Sequence, residues 1–350
     1  MSTPGAGARR SLLSVEDLHV SFVTEDGVLR AVDGVSFDLR AGEILAIVGE
    51  SGSGKSVTAQ TIMGLTRSTN ARIEGSIDYS GRDLVTASEE DLQGIRGEEI
   101  AMIFQDPMTS LNPVYRVGRQ IVEAIRAHRD EPDERARERT IELLDAVGIP
   151  DAKRRVDDYP HEYSGGMRQR AMIAMALALE PKVLIADEPS TALDVTIQAQ
   201  ILRLLEELNS ERDLAVILIT HDLGVVAEVA DRVQVMYGGR IVESGTLDQI
   251  FYDPQHPYTW GLLGSLARPD RPRMRRLSQI KGQPPSLLAP PQGCHFRPRC
   301  PHAFDRCTEV PRLEARVGDS HADRCWLSVE QKRNLRVLES GDIGLEVPAA

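Results

Sequence analysis

The chain of 350 residues is acidic, with 53 Asp and Glu residues against 41 Lys and Arg residues and a net charge of −12 at pH 7. Such a surface repels phosphate backbones, which argues against nucleic acid as the main partner. No apolar run approaches the roughly 20 residues that a membrane-spanning helix needs, and the start of the sequence is not typical of a signal peptide. We therefore expect a cytosolic protein whose membrane association comes through a partner.

Predicted strands and helices alternate along most of the chain. Residues 1–11 are small and polar and indicate a loose tail, after which two runs rich in β-branched and aromatic residues predict strands. A short apolar run, a glycine-rich loop and a helix follow. Residues 117–148 predict two amphipathic helices, which indicate a helical insertion at about 107–165. The alternation then resumes in a pattern typical of a mostly parallel sheet covered by helices. Beyond residue 254 prolines multiply, and the run up to residue 301 predicts little regular structure.

A glycine-rich loop at residues 49–56 is the strongest chemical signal in the sequence. Its sequence GESGSGKS matches G-x-x-x-x-G-K-[ST], in which backbone N–H groups wrap phosphates at a helix N-terminus. Lys55 is expected to reach the β- and γ-phosphates of ATP, and Ser56 is expected to bind Mg²⁺. The predicted contacts of this loop are Gly49, Ser51, Gly52, Ser53, Gly54, Lys55, Ser56 and Val57. A flexible Gly/Ser loop is the alternative, which the flanking strand and helix argue against.

An apolar strand that ends in two acids, VLIADE at residues 183–188, supplies the second half of the expected nucleotide site. Asp187 lies at the carboxyl end of this strand, where it is expected to hold Mg²⁺ through water. Glu188 follows directly, in the place of a base that polarises the attacking water. An ordinary strand end is the alternative, and the phosphate-binding loop about 130 positions earlier weakens that interpretation.

Further motifs occur in one order, and with them the chain resembles the ABC ATPases. The sequence YSGGMRQR at residues 163–170 resembles the signature sequence of that family, in which Ser164, Gly165 and Gly166 open a helix. The resemblance implies that this motif closes on the γ-phosphate of an ATP held by the opposing subunit. It therefore implies a dimer with two composite sites. Met167 stands where the family more commonly has glutamine.

Four single residues extend the resemblance. Gln105 matches the Q-loop, which senses metal and water and touches a transmembrane partner, and Asp194 matches the D-loop at the dimer interface. His221 matches the switch histidine that contacts the γ-phosphate. Phe22 lies where the family places an aromatic ring against adenine, and a core position is its alternative. Such residues are uninformative singly, but six motifs in one order over about 200 residues are not a chance pattern.

The resemblance implies an α/β fold of the P-loop NTPase class, with a mixed or parallel sheet core, an antiparallel β subdomain and the helical insertion. We place the ATPase domain at residues 12–263 and a small cysteine-containing extension at residues 264–350. The implied enzyme is an ATPase in which Mg-ATP closes the dimer and hydrolysis releases it. Catalysis is assigned to Glu188, His221 and Gln105, and the magnesium contacts are assigned to Ser56, Gln105 and Asp187.

Two other classes of ABC protein are weaker hypotheses. A soluble ABC ATPase that acts on DNA is disfavoured because the sequence has no long heptad coiled coil between the two halves of the site. One that acts on ribosomes is disfavoured because only one P-loop is present. A binding or sensor module without catalysis is disfavoured because the expected catalytic residues are all present: Lys55, Asp187, Glu188 and His221.

Segments outside the ATPase motifs resemble the ATP-binding subunits of peptide and nickel importers. These segments are DPQHPYTWGLL at residues 253–263, MTSLNP at residues 108–113 and GCHFRPRCP at residues 293–301. The implied partners are a sister ATPase subunit, two permease subunits and an extracytoplasmic substrate-binding protein, at the cytoplasmic face of the membrane. Dipeptides or oligopeptides are the expected solutes, and nickel or another small solute is the alternative.

All four cysteines lie late in the chain, at Cys294, Cys300, Cys307 and Cys325. Cytosolic thiols stay reduced, so their concentration within 32 positions indicates a shared ligand rather than disulfides. The C-x2-C pairs usual for zinc are absent, whereas four widely spaced thiolates suit a 4Fe–4S cluster, which some peptide-importer ATPases resembling this chain carry. Nearby histidines keep Zn²⁺ as the alternative, and a site without metal is the third: His295, His302 and His321.

Overall fold

The computed structural model of the chain describes residues 11–105, 111–189, 195–265 and 280–343. Its strands are β1 (Ser11–Thr24), β2 (Gly27–Arg40), β3 (Ile44–Val48), β4 (Ala71–Tyr79), β5 (Arg82–Asp83), β6 (Ile100–Ile103), β7 (Val183–Asp187), β8 (Ala215–Thr220), β9 (Arg232–Tyr237), β10 (Arg240–Thr246), β11 (Glu314–Val317) and β12 (His321–Asp323). Its helices are α1 (Lys55–Ile62), α2 (Glu89–Ile95), α3 (Val117–His128), α4 (Asp133–Ala146), α5 (Ala152–Arg155), α6 (Gly165–Ala176), α7 (Val195–Arg212), α8 (Leu223–Val229), α9 (Leu247–Tyr252), α10 (Pro257–Gly264) and α11 (Val329–Ile343). Within these ranges no helix is long and apolar enough to cross a membrane.

The first strands form a separate antiparallel sheet in the order β2-β1-β4-β5. Residues of β1 are buried in two pairs spaced by two, Leu13 with Val15 and Leu18 with Val20, on either side of a register shift. This period of two is the pattern of a sheet with one face on the core. The antiparallel β subdomain that the family resemblance implies is therefore confirmed.

The second sheet has eight strands in the order β11-β12-β10-β9-β3-β8-β7-β6. Its five strands from β9 to β6 are parallel, and every residue of β3, β7 and β8 is buried. Strands covered on both faces are expected to be continuous apolar runs, and these three are. Parallel strands end at one edge of a sheet, so the segments that follow β3, β6, β7 and β8 meet there.

The helical insertion packs as a unit beside this sheet. Helices α3 and α4 lie against each other and against α6. Ile121 and Ile125 on α3, Leu144 on α4 and Ala171 on α6 are all buried in one hydrophobic cluster. The two amphipathic helices predicted within residues 117–148 are therefore present, separated by a short break before Asp133.

The prediction of little regular structure between residues 254 and 301 was wrong in part, because α10 forms there. Pro257 occupies the first turn of this helix, where the missing N–H costs no intrahelical bond. The His256 side chain caps the helix, with Nδ1 accepting the Tyr258 N–H at 3.1 Å. Proline therefore starts this helix instead of preventing it.

The end of the chain continues the large sheet, since β12 pairs with β10 and β11 pairs with β12. Buried charges hold this junction. Glu243 on β10 accepts hydrogen bonds from His321 Nε2 at 2.8 Å and from the His256 N–H at 2.9 Å. Lys332 on α11 donates to Asp323 at 2.6 Å, and both side chains of this pair are fully buried. The buried polar groups of this junction therefore have hydrogen-bond partners, and removal of one partner would leave the other uncompensated.

Candidate nucleotide site

The loop between β3 and α1 has a backbone that only glycine accommodates at two positions. A Cβ on Gly49 would lie 2.1 Å from the carbonyl oxygen of Met236, and one on Gly54 would lie 2.4 Å from that of Ala31. Both glycines also have positive φ, at 156° and 101°. At these two positions the loop is pressed against its neighbours with no room for a side chain, and Lys55 begins a helix directly after it.

Lys55 contacts the backbone of this loop, and Ser56 joins the loop to the end of β7. Lys55 Nζ donates to the carbonyl oxygens of Gly49 at 2.8 Å and Glu50 at 3.1 Å. Ser56 Oγ donates to Asp187 Oδ1 at 3.1 Å across 131 positions of sequence. A hydroxyl and a carboxylate side by side are the hard oxygen ligands that Mg²⁺ prefers, so these residues fit the metal expected from the sequence.

Glu188 lies between two of the other predicted catalytic residues. Gln105 Nε2 donates to Glu188 Oε2 at 3.0 Å, and His221 Nδ1 lies 3.2 Å from Glu188 Oε1. Gln105 follows β6, Glu188 follows β7 and His221 follows β8, so the order of adjacent strands brings them together. Glu188 also has a positive φ of 48°, a sparsely populated conformation for a residue with a side chain. Strain of this kind concentrates at functional sites.

Burial shifts the pKa values of the two charged groups nearest the phosphate position. Desolvation is the largest influence on Asp187 and raises its pKa, with Glu188 adding to the shift and Ser56 opposing it. Desolvation also lowers the pKa of Lys55, which the carboxylates of Glu188 and Asp187 oppose. The site therefore holds a cation beside two carboxylates in a partly dry pocket. There the attraction of Lys55 for a bound phosphate and the repulsion by the carboxylates are both stronger than in water, so the carboxylates need a metal cation beside them.

The predicted signature residues lie at the start of α6. Ser164 is the N-cap of this helix, and its Oγ accepts the Met167 N–H at 3.2 Å. Ser164 and Gly165 are exposed and Gly166 is half-buried. Their exposure leaves the positive end of a 12-residue helix at the surface.

The remaining predicted contacts differ in their surroundings. Ser51 and Gly52 are exposed, Ser53 is buried, and Val57 is half-buried against the core. Phe22 is also half-buried and packs against the same hydrophobic cluster, so core packing accounts for part of its surface. Asp194 lies outside the described residues.

Sequence reasoning missed a contact between the phosphate-binding loop and α10. The hydroxyl of the buried Tyr258 accepts the Glu50 N–H at 2.9 Å, across 208 positions. The only signal for it was the HPYTW segment, which indicated a family without indicating a role for any of its residues.

Comparison with known proteins matches two families to this chain. Residues 32–191 match the family described as ABC transporter, and residues 242–307 match the family described as oligopeptide/dipeptide transporter, C-terminal region. The dipeptide transport ATP-binding protein DppD of Bacillus subtilis (strain 168) is 54% identical over 332 residues, which cover 95% of this chain and 98% of that protein.

The chain belongs to the ABC transporter family. Within it, the chain is an ATPase related to the ATP-binding proteins of dipeptide and oligopeptide transport. The oligopeptide transport ATP-binding protein OppD of Salmonella typhimurium is 55% identical over 320 residues, which cover 91% of this chain and 95% of that protein. A solved dimeric structure of the ATP-binding cassette MJ0796, bound to ADP and Pi, superposes with a TM-score of 0.61 at 26% identity, covering 67% of this chain and 98% of the other.

The four cysteines of this ABC ATPase line one cavity in the C-terminal region, together with His302, Phe296 and Trp326. Burial is the largest influence on three of them: it raises the pKa of Cys294, that of Cys300 to about 12 and that of Cys325 to about 11. Those three thiols therefore stay protonated at neutral pH unless a cationic group lies beside them. Among the described residues, no group of three or more His, Cys, Asp and Glu is arranged to hold a metal ion.

Two of the histidines considered as zinc ligands have other partners. His295 Nδ1 lies 2.7 Å from the carbonyl oxygen of Gly238, and His321 pairs with Glu243. Only His302 of the three lines the cysteine cavity. The cavity is therefore a thiol site more than a mixed histidine and cysteine site.

Proposed function

We propose that this chain is the ATP-hydrolysing subunit that powers an importer of dipeptides or oligopeptides. The observation that carries the proposal is the position of the Glu188 carboxylate, between Gln105 and His221 and directly after the aspartate that contacts Ser56. The peptide specificity rests on the relatives, whose names refer to dipeptide and oligopeptide transport. No described residue favours the nickel alternative.

Each residue of the site has a role that follows from its surroundings. Lys55 and the N–H groups of the glycine loop bind the phosphates. Ser56 and Asp187 would hold Mg²⁺, which would neutralise phosphate charge. Glu188 accepts the proton of the attacking water. Gln105 and His221 each contact one oxygen of the Glu188 carboxylate, so they orient it. Loss of the γ-phosphate then removes the contacts that keep the site closed.

The signature residues support a paired assembly. The N-terminus of α6 is exposed, with a helix dipole suited to an anion, and the related MJ0796 cassette was solved as a dimer with ADP and Pi. We infer that Ser164 and Gly165 face the nucleotide of a second ATPase, for which a sister subunit is our hypothesis. Two permease subunits, an extracytoplasmic binding protein and a peripheral position at the cytoplasmic face complete the proposed importer.

Uptake and hydrolysis measured together test this function. Labelled dipeptide and nickel uptake are compared in a strain without this chain, a strain complemented with it, and a strain complemented with Lys55→Ala. Restored dipeptide uptake by the wild type alone, with ATPase activity in the purified assembly, is the expected result. Restored nickel uptake without dipeptide uptake would establish the alternative, and equal rescue by Lys55→Ala would exclude an ATP-driven role.

We also propose that the cysteine cavity holds a 4Fe–4S cluster within the extension assigned to residues 264–350. The support is chemical: the four thiols line one cavity, and burial disfavours the ionisation of Cys294, Cys300 and Cys325 unless a cationic group compensates. A cluster bound by four cysteine thiolates would supply that charge and crosslink a region with a small core. A structural role is the one that this placement favours.

Anaerobic purification followed by iron analysis and a visible absorption spectrum tests the cluster. About four iron atoms per chain, lost in a Cys300→Ser variant, are expected for four-thiolate ligation. Stoichiometric zinc in place of iron would favour the zinc alternative. A colourless, metal-free protein that is folded would show that the thiols only pack against one another.

A further inference from the structure

An arginine of the cysteine-bearing region contacts the phosphate-binding loop. Arg299 lies immediately before Cys300, and its guanidinium forms two parallel hydrogen bonds with the carboxylate of Glu50, the second residue of the loop. The distances are 2.5 Å from Nη1 to Oε2 and 3.0 Å from Nη2 to Oε1, across 249 positions of sequence. Paired bonds of this kind fix orientation as well as distance.

The surroundings of Arg299 fit this contact and leave no nitrogen of its guanidinium without a partner. Nε donates to the carbonyl oxygen of Lys281 at 3.0 Å, Nη2 also donates to that of Ile280 at 3.3 Å, and Nη1 also reaches the Tyr237 hydroxyl at 3.3 Å. The Arg299 side chain is only 5% exposed, whereas that of Glu50 is 26% exposed. A rigid, fully bonded cation therefore meets the carboxylate of the loop.

Glu50 is held at three points. Its side chain meets Arg299, its N–H donates to Tyr258, and its carbonyl oxygen accepts from Lys55 Nζ. Lys55 is the residue expected to reach the phosphates, and the Glu50 carbonyl oxygen is one of the two that hold the Lys55 ammonium group. A shift of the Glu50 backbone would therefore move that ammonium group. Tyr258 and Arg299, which both lie within the matched family segment at residues 242–307, supply two of these three contacts.

Charge gives the contact a second consequence. A carboxylate in a loop that binds a triphosphate repels the ligand unless a cation neutralises it. Arg299 supplies that cation, and its burial reduces screening by solvent and salt. Building on the proposed ATPase function, we infer that Arg299 is a positioning residue for nucleotide binding, which couples the cysteine-bearing region to the affinity of the site for ATP.

Binding of Mg-ATP to the purified chain tests this inference. Arg299→Gln leaves the Glu50 carboxylate unpaired, and we expect the Kd for ATP to rise by at least about tenfold, as loss of a charged hydrogen bond predicts. KM should rise with it while kcat changes less, because the Gln105, Glu188 and His221 contacts are untouched. Arg299→Gln combined with Glu50→Gln removes the repulsion, so the double variant is expected to recover most of the affinity.

Controls separate this effect from general damage. Arg333→Gln removes an arginine that pairs with Asp253 at 2.9 Å in the same region, and it should leave the Kd unchanged. If Arg299→Gln does not fold, Arg299→Lys takes its place in the test. Arg299→Lys should raise the Kd for ATP in the wild-type background and should not raise it in the Glu50→Gln background.

Two results would overturn the inference. The first is an unchanged Kd in Arg299→Gln. The second is an Arg299 substitution that weakens ATP binding by the same factor in the wild-type background and in the Glu50→Gln background. Failure of the wild type to bind ATP would instead refute the proposed function. Lys55→Ala removes the side chain that is expected to bind the phosphates. Its Kd for ATP gives the reference value for lost binding.

Discussion

His221 lies against the carboxylate of Glu188, with 3.2 Å between Nδ1 and Oε1, although 33 positions separate the two residues. Gln105 contacts the other oxygen of the same carboxylate from 83 positions away. Only 13% of the Glu188 side chain is exposed, against 62% of that of His221. The Glu188 carboxylate is therefore mostly buried, and the His221 side chain lies between it and solvent.

Replacing the enclosed carboxylate tests its role as base. In Glu188→Gln the amide cannot accept a proton from water, and we expect kcat for ATP hydrolysis to fall by about 10²–10⁴-fold. Binding of ATP should persist, so ATP should trap the paired assembly. Steady-state ATPase assays and size-exclusion chromatography with and without ATP measure the two effects. Near-normal turnover would rule out this role for Glu188.

Removing the charge of Asp187 should separate stability from activity. Its pKa is raised in the folded chain, so the folded state binds the proton more tightly than the unfolded state, and the contribution of Asp187 to stability is lost as pH rises through the folded pKa. At pH 7 without Mg²⁺, Asp187→Asn should raise the free energy of unfolding while ATPase activity is lost.

Urea unfolding at pH 7 and near pH 4 measures this difference. The gap between Asp187→Asn and the wild type should shrink at the lower pH, because a larger fraction of the wild-type carboxyl is protonated there. A variant that is less stable than the wild type at pH 7, by an amount independent of pH, would contradict the assigned cause.

Two glycines with positive φ provide a matched test of the crowded loop. Gly54 and Gly81 have φ of 101° and 87°, but a Cβ on Gly54 meets a backbone oxygen at 2.4 Å whereas one on Gly81 meets nothing within 4 Å. Gly81→Ala should cost about 1–2 kcal/mol from backbone strain alone, and Gly54→Ala should cost about 3 kcal/mol or more. Urea unfolding compares them, and equal costs would show that the contact at Gly54 is relieved easily.

The buried carboxylate of Glu243 should be essential to the C-terminal junction. Glu243→Ala leaves His321 Nε2 and two backbone N–H groups buried without this acceptor, and we expect a cost of about 3–5 kcal/mol. Glu309→Ala, on an exposed side chain, is the control and should be near neutral. Limited proteolysis followed over the region from residue 280 onward would show where stability is lost. Equal resistance of the two variants would indicate that packing alone holds the junction.

Much of the site follows from local pattern. The loop at residues 49–56, the buried strand that ends at Asp187 and the apolar strand before His221 are each specified by a few neighbouring residues, since glycine spacing and apolar runs act locally. The helix that starts at Pro257 was missed because the number of prolines in this segment was counted as evidence against any helix, without regard to where each proline lies. Proline in the first turn is compatible with a helix, and a count of prolines does not show where the first turn is.

The sequence by itself determined the family, the apolar strand that ends in the two acids and the phosphate-binding loop, because each is encoded in contiguous residues. Only the tertiary structure decided which distant side chains meet: Gln105 and His221 on Glu188, Tyr258 and Arg299 on Glu50, and the four cysteines around one cavity. Contacts across tens or hundreds of positions depend on strand order and on the packing of the C-terminal region against the loop. Neither leaves a local pattern in the chain.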